Sequence, residues 1–159
     1  MYLQAGSFHI LYEKGFLRQI KQDATEVVRM IYFALRDHNW GTLDRKIENE
    51  MIDNQEDCFL ISYDCFNVDE ANEPVFAWRV KIKGEKDGKI VFEIEGEALK
   101  DIRKNRTGFC ILHPIKGVAE QPVTIFHADD STTNTHFPRY IAAEDPFLNI
   151  RSLRWNAAN

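Results

Sequence analysis

Apolar and polar residues alternate with a period of two along much of this chain. Phe76, Trp78, Val80 and Ile82 fall on one side and Ala77, Arg79 and Lys81 on the other. Further on, Ile90, Phe92, Ile94, Gly96 and Ala98 share a side opposite Glu93, Glu95 and Glu97. Successive side chains of a strand point to opposite faces, so this alternation predicts half-buried antiparallel strands. Between the two runs lies Gly84-Glu85-Lys86-Asp87-Gly88, a hairpin signal. A two-residue Asp87-Gly88 loop would set Ile82 against Glu93 and mix the dry and wet faces, which the pleat forbids. A three-residue loop of Lys86, Asp87 and Gly88 pairs Glu85 with Lys89, Ile82 with Phe92 and Val80 with Ile94. It also sets Lys81 across from Glu93 and Arg79 across from Glu95, so the solvent-face charges complement each other. Gly88 then takes the left-handed position such a loop needs, and Trp78 is buried on the face it shares with Phe76 and Val80.

The same logic predicts strands over Phe8–Glu13, Phe16–Gln22, Thr25–Leu35, Arg45–Asn54, Cys58–Phe66, Phe109–His113, Val123–Ala128 and Phe147–Trp155. Asn67–Pro74 and Asp129–His136 are polar and turn-rich and read as connections. The best short helical segment is Glu97–Lys104, and no amphipathic helix exceeds about two turns. About ten strands with frequent turns and little helix predict an all-β fold, an antiparallel β-sandwich. No internal repeat or interior linker interrupts the pattern, so residues 1–159 are expected to form one sandwich domain. The apolar residues Phe147, Leu148, Ile150, Leu153 and Trp155 predict a last strand that returns to the sandwich and leads toward a second domain.

Composition narrows the class. With 159 residues, 44% hydrophobic and 28% charged, the chain can bury a substantial core and is not of the disordered type. A net charge of -5 without a basic stripe excludes a nucleic-acid backbone as the expected partner. No apolar run is long enough for a membrane helix, and Met1–Ser7 lacks the basic and apolar regions of a secretory leader. Cys58, Cys65 and Cys110 form no Cys-x-x-Cys pair, so they are expected as reduced, mostly buried thiols in the cytoplasm, without a zinc site.

Candidate chemistry gathers in three places. The run Arg36-Asp37-His38-Asn39-Trp40 follows an apolar strand and combines a guanidinium, short polar groups and an indole. A guanidinium fork suits a carboxylate, short polar side chains suit hydroxyls, and a flat ring suits C–H faces. Asp37, Asn39 and Gly41 are equally what a turn after a strand requires. Arg106 stands at the entry to another apolar strand, placed for a ligand or interdomain carboxylate or for a local ion pair with a neighbour such as Asp101. His113, His127 and Glu144 are the candidate catalytic residues, an acid–base set in the manner of a sugar epimerase. Each histidine can instead cap its strand through satisfied ring nitrogens. Metal ligation by His127, Asp129 and His136 has no diagnostic spacing; neither a metal nor another cofactor is expected. No nucleophile elbow, phosphate loop or dinucleotide fingerprint is present.

A resemblance adds to this reading. The stretch from Val28-Arg29-Met30-Ile31 through Arg36-Asp37-His38-Asn39-Trp40-Gly41-Thr42, then Asn105-Arg106-Thr107-Gly108-Phe109-Cys110-Ile111-Leu112-His113-Pro114, Phe137-Pro138-Arg139 and Pro146-Phe147-Leu148-Asn149-Ile150-Arg151-Ser152-Leu153, resembles the N-terminal domain of the D-apionate lactonase family in the same order. Those proteins hydrolyse a sugar-acid lactone and are much longer. The resemblance implies an accessory domain with a downstream catalytic domain of the same protein as partner, and a sugar acid or its lactone as the small molecule in play. Arg36, Asp37, His38, Asn39, Trp40 and Arg106 would then meet substrate or the neighbouring domain. A self-contained aldose-epimerase-like enzyme using His113, His127 and Glu144, and a carbohydrate-binding module with Trp40 or Trp78 as stacking plate, are the competing expectations.

Overall fold

The period-two segments pair with their neighbours in a computed structural model that describes residues 1–140 and 145–156. Twelve strands and no helix occur among these residues. They fall into two compact units, Met1–Leu112 and His113–Asn159, and all the strand pairs are antiparallel.

In the first unit, β1 (Tyr2–Ala5), β2 (Phe8–Glu13), β3 (Phe16–Gln22), β4 (Thr25–Asp37) and β9 (Lys104–Leu112) make one sheet in the order β1-β2-β3-β4-β9. A second sheet, in sequential order, consists of β5 (Arg45–Asn54), β6 (Phe59–Val68), β7 (Pro74–Gly84) and β8 (Ile90–Ala98). The two sheets pack face to face as a sandwich. Leu3, Ala5, Ile10, Tyr12, Leu17 and Ile20 of the first sheet join Phe59, Ile61, Tyr63, Cys65, Trp78, Val80 and Ile82 of the second in one buried cluster. Each such large apolar side chain contributes about 1.5–3 kcal/mol by leaving water. Trp78 is anchored within this core by its indole N–H, which donates to Asn67 Oδ1 at 3.1 Å.

The β7–β8 hairpin has the expected register: Ile82 faces Phe92, Val80 faces Ile94, Lys81 faces Glu93 and Arg79 faces Glu95. Glu85 N–H donates to Lys89 O at 2.8 Å, and Gly88 has φ +88°. A Cβ there would crowd the Phe8 ring at 3.1 Å, so conformation and space both call for glycine.

Several sequence expectations need correction. Glu97–Lys104 is not helical: Glu97 and Ala98 complete β8 opposite Ala77 and Phe76, and Leu99 N–H donates to Val75 O at 3.0 Å. The ladder with β7 takes the backbone groups that a helical turn would have used. Tyr2–Ala5 is an additional strand. Of the three free thiols, Cys65 alone is fully buried, while Cys58 and Cys110 are half-buried; burial pushes the Cys65 thiol up to about 12.

The second unit has its own sheet, ordered β11-β10-β12, from β10 (Pro122–His127), β11 (Thr132–His136) and β12 (Ile150–Trp155). Thr132–His136, expected as connection, pairs with β10. Its polar side chains sit on an edge strand with Val123 and Ile125 of β10 forming the buried centre. The last strand begins at Ile150 rather than Phe147 and pairs with β10 instead of rejoining the sandwich. Aromatic contacts close this unit: Phe137 meets Phe147 at 5.8 Å and Trp155 at 5.5 Å between ring centroids.

Candidate functional site

The β4–β5 connection is built by Asp37. Its Oδ1 accepts hydrogen bonds from the backbone N–H groups of Asn39 and Gly41, each at 2.8 Å. Its own N–H donates to Gly41 O at 2.9 Å, and Trp40 N–H donates to Asp37 O at 3.1 Å. A Cβ on Gly41 would lie 2.6 Å from Asp37 Oδ2, so a side chain there would push the Asp37 carboxylate from its place in the turn. Beyond it, Arg36 and Thr42 form a bridge, and Leu43 N–H donates to Leu35 O at 3.3 Å. Asp37 thus has the turn-building role, with the backbone as its partner.

That turn presents Trp40 at its tip. Trp40 has φ +68° and is 54% exposed, and the Arg106 guanidinium of β9 lies over its ring at 5.1 Å from the centroid. His38 and Asn39 are exposed beside it. Arg36 is half-buried: Nη1 donates to Thr42 Oγ1 and Nη2 to Tyr32 OH at 3.3 Å. Burial, reinforced by the neighbouring Cys110, raises the Tyr32 hydroxyl above its ordinary pKa, while Arg36 pulls the other way. The structure therefore joins Trp40 to Arg106, and Arg36 to Tyr32 and Thr42. Tyr32 and Thr42 were not singled out from the sequence. The four-residue spacing from Tyr32 to Arg36 on a strand, which places both on one face, was the available signal.

The histidines belong to the second unit and have partners of their own. The His113 ring meets Trp155 edge-on at 4.9 Å. His127 Nδ1 lies 3.0 Å from Leu148 O and its Nε2 2.9 Å from Thr133 Oγ1. A carbonyl only accepts, so Nδ1 is the donor in that pair, and the threonine hydroxyl is the partner at Nε2. His127 lines a shallow recess with Asp129, Thr133 and Leu148. The Ser131 hydroxyl and N–H hold the Asp129 carboxyl below its ordinary pKa. Glu144 lies outside the described residues. Among the described residues, no group of three or more His, Cys, Asp or Glu is placed to hold a metal ion, and no helix is long and apolar enough to cross a membrane.

Comparison with known proteins supplies the context. The chain is 31% identical over 158 residues to a D-apionate lactonase of Brucella anthropi, an alignment that covers 98% of this chain and 26% of that protein. The chain thus spans about a quarter of the length of this curated relative. No solved structure matches it. All of residues 1–159 match the family described as D-apionate lactonase, N-terminal domain, and to that family the chain belongs.

Proposed function

We propose that this domain is a non-catalytic accessory module of a D-apionate-lactonase-like hydrolase, supporting a catalytic domain that opens a sugar-acid lactone. The observation that carries the reading is the match of the whole chain to the family's N-terminal domain, while it spans only 26% of a relative that bears the lactonase name. The edge strand β9 supports a neighbouring domain. Phe109, Ile111 and Leu112 are 46%, 54% and 43% exposed on it, and an apolar edge of that kind is a surface for association. The local partners of His127 and Asp129 support structural roles for both. Three free thiols suit a reducing compartment, and the cytoplasm is the proposed location.

Turnover of D-apionate lactone by the purified 159-residue chain tests the reading. We expect none above the buffer rate. Hydrolysis that survives repurification and disappears in His127→Ala would overturn the accessory role and return the self-contained enzyme to first place.

A further inference from the structure

We propose that the outer edge of β9 is a strand-addition site, on which an extended segment from the remainder of the parent protein pairs as a further strand of the first sheet. The source of that segment rests on the accessory reading above; the site itself rests on the geometry.

The edges of the three sheets are not alike. A strand at the end of a sheet points the N–H and C=O of every second residue away from its one neighbour. Soluble proteins blunt such a row by shortness, charge or bulges. Among the described residues, β1, β5, β8, β9, β11 and β12 end a sheet. β1 spans only Tyr2–Ala5. β5 is broken by a bulge between Glu48 and Met51, with Asn49 at φ +53°, and carries charge along its length. β8 exposes Glu93, Glu95 and Glu97. β11 is short and polar, and β12 carries Arg151 and Arg154. β9 has no such device over Thr107–Leu112. It pairs with β4 without interruption from Leu112 to Thr107, contains no proline, and exposes Phe109, Ile111 and Leu112.

These apolar residues occupy both faces of the strand. Phe109 and Ile111 share the side of Thr107, where the Phe109 ring lies edge-on to Phe33 at 6.0 Å and to Phe92 at 5.1 Å. Leu112 shares the opposite side with Cys110. The aromatic contacts fix the Phe109 ring and still leave the residue exposed. An added strand with consecutive apolar residues covers both faces and bonds the outward backbone groups.

Charge sets the other end of the partner. Arg103 and Lys104 are exposed, and neither forms an ion pair among the described residues. Asp37 stands opposite Lys104 in the ladder, but its carboxylate is engaged by the N–H groups of the turn. The segment that fits therefore runs from apolar residues into a carboxylate facing Lys104. A second copy of this chain lacks that pattern. Two-fold pairing of the whole of β9 is centred on Gly108 and sets Phe109 against Thr107, Ile111 against Asn105 and Leu112 against Lys104. Centring on Cys110 sets Phe109 against Ile111 but brings Arg106 against Pro114, which has no N–H to donate.

Hydrogen exchange read at single amides by fragmentation mass spectrometry tests this, in the 159-residue chain and in the full-length parent protein. In the chain alone, every second amide of β9 should exchange rapidly while those bonded to β4 are protected. In the parent the rapid set should slow by at least about tenfold. Ile111→Lys places a charge on the edge, as the other edges have, and should restore rapid exchange in the folded parent. Lys104→Glu should do so in part, and Ile111→Val should not. The proposal is overturned by a rapid set that the parent leaves unchanged, by equal slowing of both sets, or by protection that survives Ile111→Lys. Slowing in the chain alone that grows with its concentration also overturns it, assigning the edge to a second copy. Lactone hydrolysis by the 159-residue chain would overturn the accessory role; unchanged β9 exchange in a parent that hydrolyses lactone overturns the strand pairing alone.

Discussion

Trp78 and Trp40 occupy opposite kinds of place in the same sandwich. Trp78 is 3% exposed, lies edge-on to Tyr63 at 6.2 Å and tilted to Phe33 at 4.7 Å, and satisfies its N–H on Asn67. Trp40 sits on a left-handed turn in solvent with a guanidinium over its ring. Two identical side chains therefore report two different demands. The first is explained by burial and hydrogen bonding within the fold. The second is not explained by burial, since the ring is more than half exposed.

Substitutions sharpen or break this contrast. The largest effect is expected at Trp78→Ala, which should lower unfolding free energy by about 3–5 kcal/mol through lost burial and a cavity, read from urea denaturation. Next comes Asn67→Ala, since Asn67 is 2% exposed and its loss leaves the Trp78 N–H without its acceptor. A cost of about 1–3 kcal/mol is expected in the same assay. Asp37→Ala removes the acceptor of two backbone N–H groups in an exposed turn and should cost about 1 kcal/mol. It should also broaden the Trp40 indole signal as the tip loosens. Smallest is Trp40→Asn, where relief of left-handed strain offsets the lost cation–π contact, leaving stability within about 1 kcal/mol of wild type. If Trp40→Asn melts like Trp78→Ala, the ring is structural and the contrast collapses.

A second pair, the two turns, shows how much was legible in advance. At Gly88 the residue type announces the conformation, and the three-residue loop with its register could be argued from Lys86-Asp87-Gly88 before any coordinates. At Trp40 residue type and conformation disagree. Asn and Asp, which tolerate positive φ, hold several other such positions, including Asn49, Asn72 and Asp130; a tryptophan there gives no warning. Asp37 and Gly41 did mark a turn, and the run Arg36–Trp40 was singled out for its chemistry. Which of its members would face solvent and which would be consumed by the turn could not be read, because that depends on hydrogen bonds between backbone atoms. The histidines show the same limit: His127 finds Leu148 O and Thr133 through strand pairings that its own neighbours in sequence do not specify.

The amino-acid sequence by itself determined the all-β class, the boundaries of β2, β3, β5 and β8, and the register of the β7–β8 hairpin. All of these follow from a period of two and from turn residues, which are properties of adjacent positions. Only the tertiary structure decided that β12 pairs with β10 in a separate sheet, that the polar segment Thr132–His136 is a strand, and that Arg106 lies over Trp40. Those outcomes join positions far apart in the chain. A strand's periodicity states which face is dry, but it does not name the strand that will lie alongside; that choice is made by the competition of all available edges for the same backbone hydrogen bonds.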